Sequence, residues 1–178
     1  GVSAQRFSVG PWLWSAERIA EVAGCPIGAI TENWPLIYDE LLARGQASRA
    51  SCAAAIGTAA IETASTFAPV REAFWLSEEW RRTNLRYWPY YGRGFIQLTW
   101  IWNYASVGGR IGVELVGQPD AALDAGTAAA IFADYWQSRD IQEPADRLDW
   151  PEVRRRVQGG SAGLDRLIQI TGDLLGIG

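Results

Sequence analysis

Carboxylates are the groups in this chain equipped for acid–base chemistry, because the sequence has no His, no Lys and no Met and carries two cysteines. That inventory excludes a Ser-His-Asp triad, a Cys-His pair, a P-loop lysine and a Lys Schiff base. Cys25 and Cys52, 27 positions apart with no histidine, lack both the ligand count and the spacing of a zinc site. Glu62 sits near the end of a helical pattern with Ala59 and Thr58 one turn before it. A crowded, weakly polar face and the negative pole of a helix both disfavour its ionised form, the condition a general acid needs. Glu78 and Glu79 stand instead among Arg71, Arg81 and Arg82, whose positive charge keeps a carboxylate ionised, as a base requires. One protonated and one ionised carboxyl facing each other across a cleft is the pairing used in glycosidic-bond hydrolysis.

The elements that must position these groups are mostly helices. Ser15 caps a predicted helix over 16–23, stopped by Gly24 and Pro26. A second is expected over 34–44, with Leu36, Ile37, Leu41 and Leu42 apolar and Gly45 as its stop. Ser48 opens a third, over 49–65, ended ahead of Pro69. Its alanines at 53, 54, 55, 59 and 60 suit a central helix that lets neighbours come close. Helical patterns return over 124–137, 151–157 and 163–175. Between them, residues 73–91 are rich in Arg, Trp and Tyr without a helical period, which predicts an irregular cleft lining, and 92–104 reads as a short extended piece. Trp75, Trp80, Tyr87, Trp88, Tyr90, Tyr91, Trp100 and Trp102 would offer flat faces to sugar rings, with part of the set packing the core. The run Arg154, Arg155 and Arg156 is expected on a solvated helix face.

With 178 residues, 48% of them hydrophobic, the chain can bury a core without disulfide or metal support, and the two cysteines read as buried reduced thiols. Sixteen basic residues against twenty acidic ones give a net charge of −4, which offers a polyanion such as DNA no general attraction. The apolar runs are too short to cross a bilayer, and the first residues carry no basic segment leading into an apolar stretch, so neither membrane insertion nor a signal peptide is expected.

The stretch Tyr90-Tyr91-Gly92-Arg93-Gly94-Phe95-Ile96-Gln97-Leu98-Thr99, followed by Asn103-Tyr104, resembles the long signature of glycoside hydrolase family 19, shared by chitinases and phage endolysins. Ile61-Glu62-Thr63, Gly112 to Leu115 with Pro119, and Val157 to Gly160 with Asp165-Arg166 resemble further segments of that family. The match spans about 48–176, and 1–47 resembles the helical lead-in of phage and bacterial members. What the resemblance implies is a single mostly α, lysozyme-like, two-lobed catalytic domain with a substrate cleft and at most a small β element. Its reaction would invert the anomeric carbon of β-1,4-linked N-acetylglucosamine polymers, with no cofactor and no metal. By the resemblance, Glu62 is the general acid, Glu79 the general base with Glu78 as fallback, and Thr99 holds the attacking water. Glu72, Tyr90, Gln97, Trp102, Asn103, Gln158 and Arg166 fall on positions that bind sugar or orient the acids.

Ile61, Phe95 and Gln158 depart from the family's His, Pro and Asn. An apolar Ile61 pushes the pKa of Glu62 further up. Gln158 shifts an amide by one methylene. The short loops between Glu62 and Gly92 look more like endolysins than plant chitinases, so peptidoglycan is the expected substrate, with chitin the alternative and a non-catalytic chitinase-like lectin a second one. The protein is then expected to be a soluble monomer that reaches the bacterial cell wall by phage-type release or by secretion.

Overall fold

The computed structural model describes residues 13–157 and 161–178. Its centre is helix α3, Arg49–Glu62, in which every residue from Ser51 to Ala60 is buried. Small side chains make this possible: a Cβ on Gly57 would stand 2.7 Å from Leu167 Cδ1, so α9, Leu164–Leu175, lies directly against the central helix. Helix α1, Ala16–Ala23, is capped by Ser15 and closed by Gly24, and packs on α2, Ile27–Ala43. Helix α6, Ala125–Ser138, lies on α2, while α7, Gln142–Asp146, and α8, Trp150–Arg156, close the core around the start of α3 and against α9. Trp136 of α6 reaches that core and donates from Nε1 to Ser51 Oγ at 2.9 Å. Cys25 and Cys52 are buried free thiols.

The rest of the chain runs from α3 into an irregular wall. Strand β1, Val70–Arg71, pairs antiparallel with β2, Arg93–Gly94, with Val70 opposite Gly94 and Arg71 opposite Arg93. Gly94 has φ +93°, and a side chain there would press within 3.3 Å of the Ala122 carbonyl in the 3₁₀ turn Pro119–Leu123. In chain order, helix α4, Glu78–Asn84, comes after β1, and α5, Ile101–Ile111, follows β2. Among the described residues the chain is therefore mostly helical with one small sheet, as expected.

Three local expectations change. Helix α2 starts at Ile27, not at 34, and continues through Pro35. A proline costs a helix one backbone bond, but Ile30, Asn33, Trp34, Ile37, Tyr38 and Leu41 form one buried face that keeps both halves in line. Residues 78–84, expected to be irregular, form α4. Ser77 accepts from Trp80 N–H, and two acidic residues in the first turn with two arginines in the last suit the helix dipole. The block 92–104 is extended over two strand residues only and is helical from Ile101 onward.

Candidate active site

Glu62 is the last residue of α3, so its side chain leaves the buried core at the point where that helix ends. The turn behind it is fixed. Thr63 Oγ1 donates to Ala59 O at 2.7 Å and accepts from Phe67 N–H at 2.9 Å, while Asn33 Nδ2 donates to Phe67 O at 2.8 Å. Ala64, Ser65 and Phe67 all adopt positive φ in this tight reversal. Ile61 packs beside it against Gly163, where a Cβ would meet Ile61 Cγ2 at 2.9 Å.

The Glu62 side chain is 22% exposed and borders two cavities. One, of about 240 Å³, is also lined by Gln97, Thr99, Asn103, Tyr135 and Arg139. The other, of about 200 Å³, is shared with Arg71, Glu72, Phe74, Trp75 and Gln97. Glu62 and Gln97 line both cavities, which therefore adjoin, and residues of the 70–99 segment wall this groove opposite Glu62. Burial pushes the pKa of Glu62 up, opposed by the charge and hydrogen bond of Arg154, and the upward effect prevails. Arg154 is 2% exposed, donates from Nη1 to Glu62 Oε1 at 3.3 Å, and is held from behind by Nε on Ala162 O at 2.9 Å.

Arg154 was expected on a solvated face, together with its two neighbours, and that expectation fails for it alone. Trp150, Val153, Arg154 and Val157 recur at helical spacing and are all buried, whereas Arg155 is exposed and Arg156 half-buried. The spacing was the available signal, and the charge run concealed it. Arg166, expected near the acids, donates instead to Ala23 O at 2.7 Å and ties α9 to the end of α1. Arg154 occupies the place beside Glu62. Tyr135 and Arg139 also escaped the sequence reading. Tyr135 donates to Val157 O at 2.9 Å, and the Arg139 guanidinium lies 4.1 Å from its ring centroid.

The opposite wall collects the other expected residues unevenly. Glu72 enters the groove with its carboxylate held at both oxygens, accepting from Tyr87 O–H at 2.5 Å and from Gly92 N–H at 2.9 Å. Glu79, the expected base, projects from the first turn of α4 with its side chain 69% exposed and both oxygens on Arg82 Nη2 at 2.8 and 2.7 Å. It borders neither cavity that Glu62 borders. Glu78, the fallback, faces away from the groove into a third cavity and accepts from Arg81, Trp88 and Tyr91, each at 2.9 Å. Desolvation pushes its pKa up, but those donors and the Arg81 charge outweigh that and hold it below the ordinary carboxylate value.

Thr99 lines the groove and donates to Gln97 O at 3.1 Å, leaving its oxygen lone pairs to accept. Gln97 Nε2 donates to Val70 O and Gly94 O, both at 3.1 Å, so this side chain knits β1 to β2. Asn103 Nδ2 donates to Thr99 O at 2.8 Å. Tyr90 is a packing residue, edge-on to Tyr104 and donating to Val116 O at 2.9 Å. Trp102, 60% exposed, stacks on Trp100 with centroids 4.7 Å apart and does not line the groove. Gln158 lies outside the described residues. Among the described residues, no three His, Cys, Asp or Glu side chains cluster as metal ligands, and no helix is long and apolar enough to cross a membrane.

An endochitinase of Arabidopsis thaliana is 34% identical over 71 residues, which is 40% of this chain and 25% of that protein. The chain spans about a quarter of the length of the curated relatives it matches. Among solved structures, a chitinase C mutant superposes with a TM-score of 0.72 at 18% identity, covering 95% of both chains. Chitinase C from Streptomyces griseus gives 0.69 at 19% identity, covering 94% of this chain and 78% of that one. These likenesses establish a shared helical fold. The sequence model for chitinase class I matches residues 44–146, more than half of the chain. With Glu62 to Asn103 inside that match, the chain belongs to glycoside hydrolase family 19, the class I chitinase family.

Proposed function

We propose that this protein hydrolyses β-1,4 bonds between N-acetylglucosamine units with inversion, Glu62 acting as general acid and Glu72 as general base. The observation that carries the reading is that both carboxyls line one groove, the first desolvated and the second fixed by two donors. Glu62, whose pKa burial raises, gives its proton to the leaving oxygen. Glu72 takes a proton from water approaching the opposite face of the sugar, and the Thr99 hydroxyl, in the adjoining cavity, is assigned the holding of that water. Inversion requires room for the water, a carboxyl separation of roughly 6.5–9.5 Å. Phe74 and Trp75, 42% and 70% exposed at the groove edge, offer ring faces to the sugar.

Glu72 replaces Glu79 in this scheme because Glu72 lines a cavity with Glu62, whereas Glu79 is paired with Arg82 and borders neither cavity that Glu62 borders. Chitin is the substrate we favour, since the curated relatives are named chitinases and endochitinases. Peptidoglycan, the expectation from loop length, becomes the second reading, supported by the arginine-rich cavity next to Glu72 discussed below.

The test is digestion of chitopentaose followed by proton NMR. Prompt appearance of the α-anomer, absent with Glu62→Gln, supports the scheme. Prompt β-anomer overturns inversion. Tight binding without cleavage by the unsubstituted protein would instead support the lectin reading.

A further inference from the structure

A cavity of about 640 Å³ beside β1 and β2 belongs to none of the chemistry above. It lies between the small sheet, α4 and the 3₁₀ turn, and its charged lining is Arg71, Arg81, Arg93, Glu78 and Asp120. Three guanidinium groups against two carboxylates leave one positive charge, a local reversal in a chain of net charge −4. We propose that this cavity is a subsite for a carboxylate carried by the glycan, a proposal that rests on the groove binding an amino-sugar polymer.

Two of the three arginines are buried, Arg81 at 6% and Arg93 at 3% exposure, and all three are held by their own partners. Arg81 bonds Glu78 through Nε and the carbonyls of Glu72, Ala73 and Leu76 through Nη1. Arg93 bonds Asp120 through Nε, and Pro89 O and Tyr104 through Nη1. Arg71 bonds Tyr91 through Nε and Asp120 through Nη2. Each therefore keeps one terminal nitrogen with no acceptor among the described residues: Arg71 Nη1, Arg81 Nη2 and Arg93 Nη2. None of these is a fully buried orphan atom. For Arg81 and Arg93, otherwise enclosed by protein, the water they meet is that of the cavity. Donors fixed in this way lose little side-chain entropy when an anion arrives, and a planar guanidinium matches a carboxylate.

The cavity also adjoins the groove. Arg71 lines both, Arg81 holds the Glu72 carbonyl, and Glu72 accepts from Gly92, the residue between Tyr91 and Arg93. A glycan seated on Glu62 and Glu72 thus carries its substituents past Arg71. Unsubstituted N-acetylglucosamine polymers are neutral and have nothing to place there, whereas a sugar bearing a 3-O-lactyl carboxylate does. The single net positive charge suits a monoanion, since a phosphate dianion would meet Glu78 and Asp120.

Calorimetric titration of the Glu62→Gln protein tests this without hydrolysis. The ligands are neutral chitotetraose and a tetrasaccharide alternating N-acetylglucosamine with its lactyl derivative, N-acetylmuramic acid. We expect the carboxylated ligand to bind about tenfold more tightly at low salt, the worth of one charge-assisted hydrogen bond, with the advantage shrinking in 0.5 M NaCl. Adding Arg71→Gln should bring the two affinities together. Gln118→Glu, which puts a negative charge into the same lining, should do likewise and serves if the first variant misfolds. Equal affinities in the Glu62→Gln protein, or an advantage that survives both changes, overturns the subsite while leaving the groove reading intact. Binding of neither tetrasaccharide overturns both.

Discussion

The two walls of the groove place carboxylates in opposite environments by opposite means. On the helical wall, Glu62 leaves a fully buried helix, and burial outweighs the opposing Arg154. On the irregular wall, Glu72 is held by donors from Tyr87 and Gly92, and behind that wall Glu78 is held by Arg81, Trp88 and Tyr91. Desolvation comes from packed regular structure, while a loop-rich wall has spare N–H and O–H groups to point inward. Separating an acid from a base in one groove therefore needs both kinds of structure, and the difference can be attacked from either side.

The largest effect is expected from Glu62→Gln, which removes the transferable proton. Steady-state kinetics on chitopentaose should show kcat lower by about 10²–10⁴, the usual worth of general acid–base catalysis, with KM little changed. The helical wall is next. Gly57→Ala drives a methyl to 2.7 Å from Leu167 Cδ1, and overpacking of this kind costs about 1–3 kcal/mol, a Tm lower by about 2–12 °C in calorimetry.

A finer change is Arg154→Gln. Arg154 holds the pKa of Glu62 down against burial, so its loss should move the alkaline limb of kcat/KM to higher pH. An unmoved limb means Arg154 only packs. The same shift has a stability signature. A carboxyl whose folded pKa lies above its unfolded one stabilises the fold below the unfolded value and loses that contribution as pH rises through the folded pKa. The Tm of the unsubstituted protein should therefore fall relative to that of Glu62→Gln as pH rises through that range.

The contrast between the walls also explains what could be read from the sequence. Helices α1, α3, α6, α8 and α9 were legible because caps, glycine stops and periodic apolar residues agree locally with the packing. The desolvated setting of Glu62 followed from small neighbours on its own helix. The irregular wall was legible as cleft but not in detail. Glu78, Glu79 and Glu72 look alike in composition, and only α4, turning Glu79 outward to Arg82, separates them. Arg154 stands beside Glu62 and Arg166 on the end of α1 because each place depends on which helix face meets which neighbour, for Arg154 a tertiary contact over 92 positions. Pro35 is the reverse case, where a local breaker yields to a buried face assembled from distant partners.

The most direct measurement is kcat on chitopentaose for Glu72→Gln beside Glu79→Gln. Loss of activity of about 10²-fold or more in the first, with the second within about twofold of the unsubstituted protein, is the outcome predicted from the groove and from the small worth of an exposed ion pair. Loss in Glu79→Gln with activity retained in Glu72→Gln would contradict it.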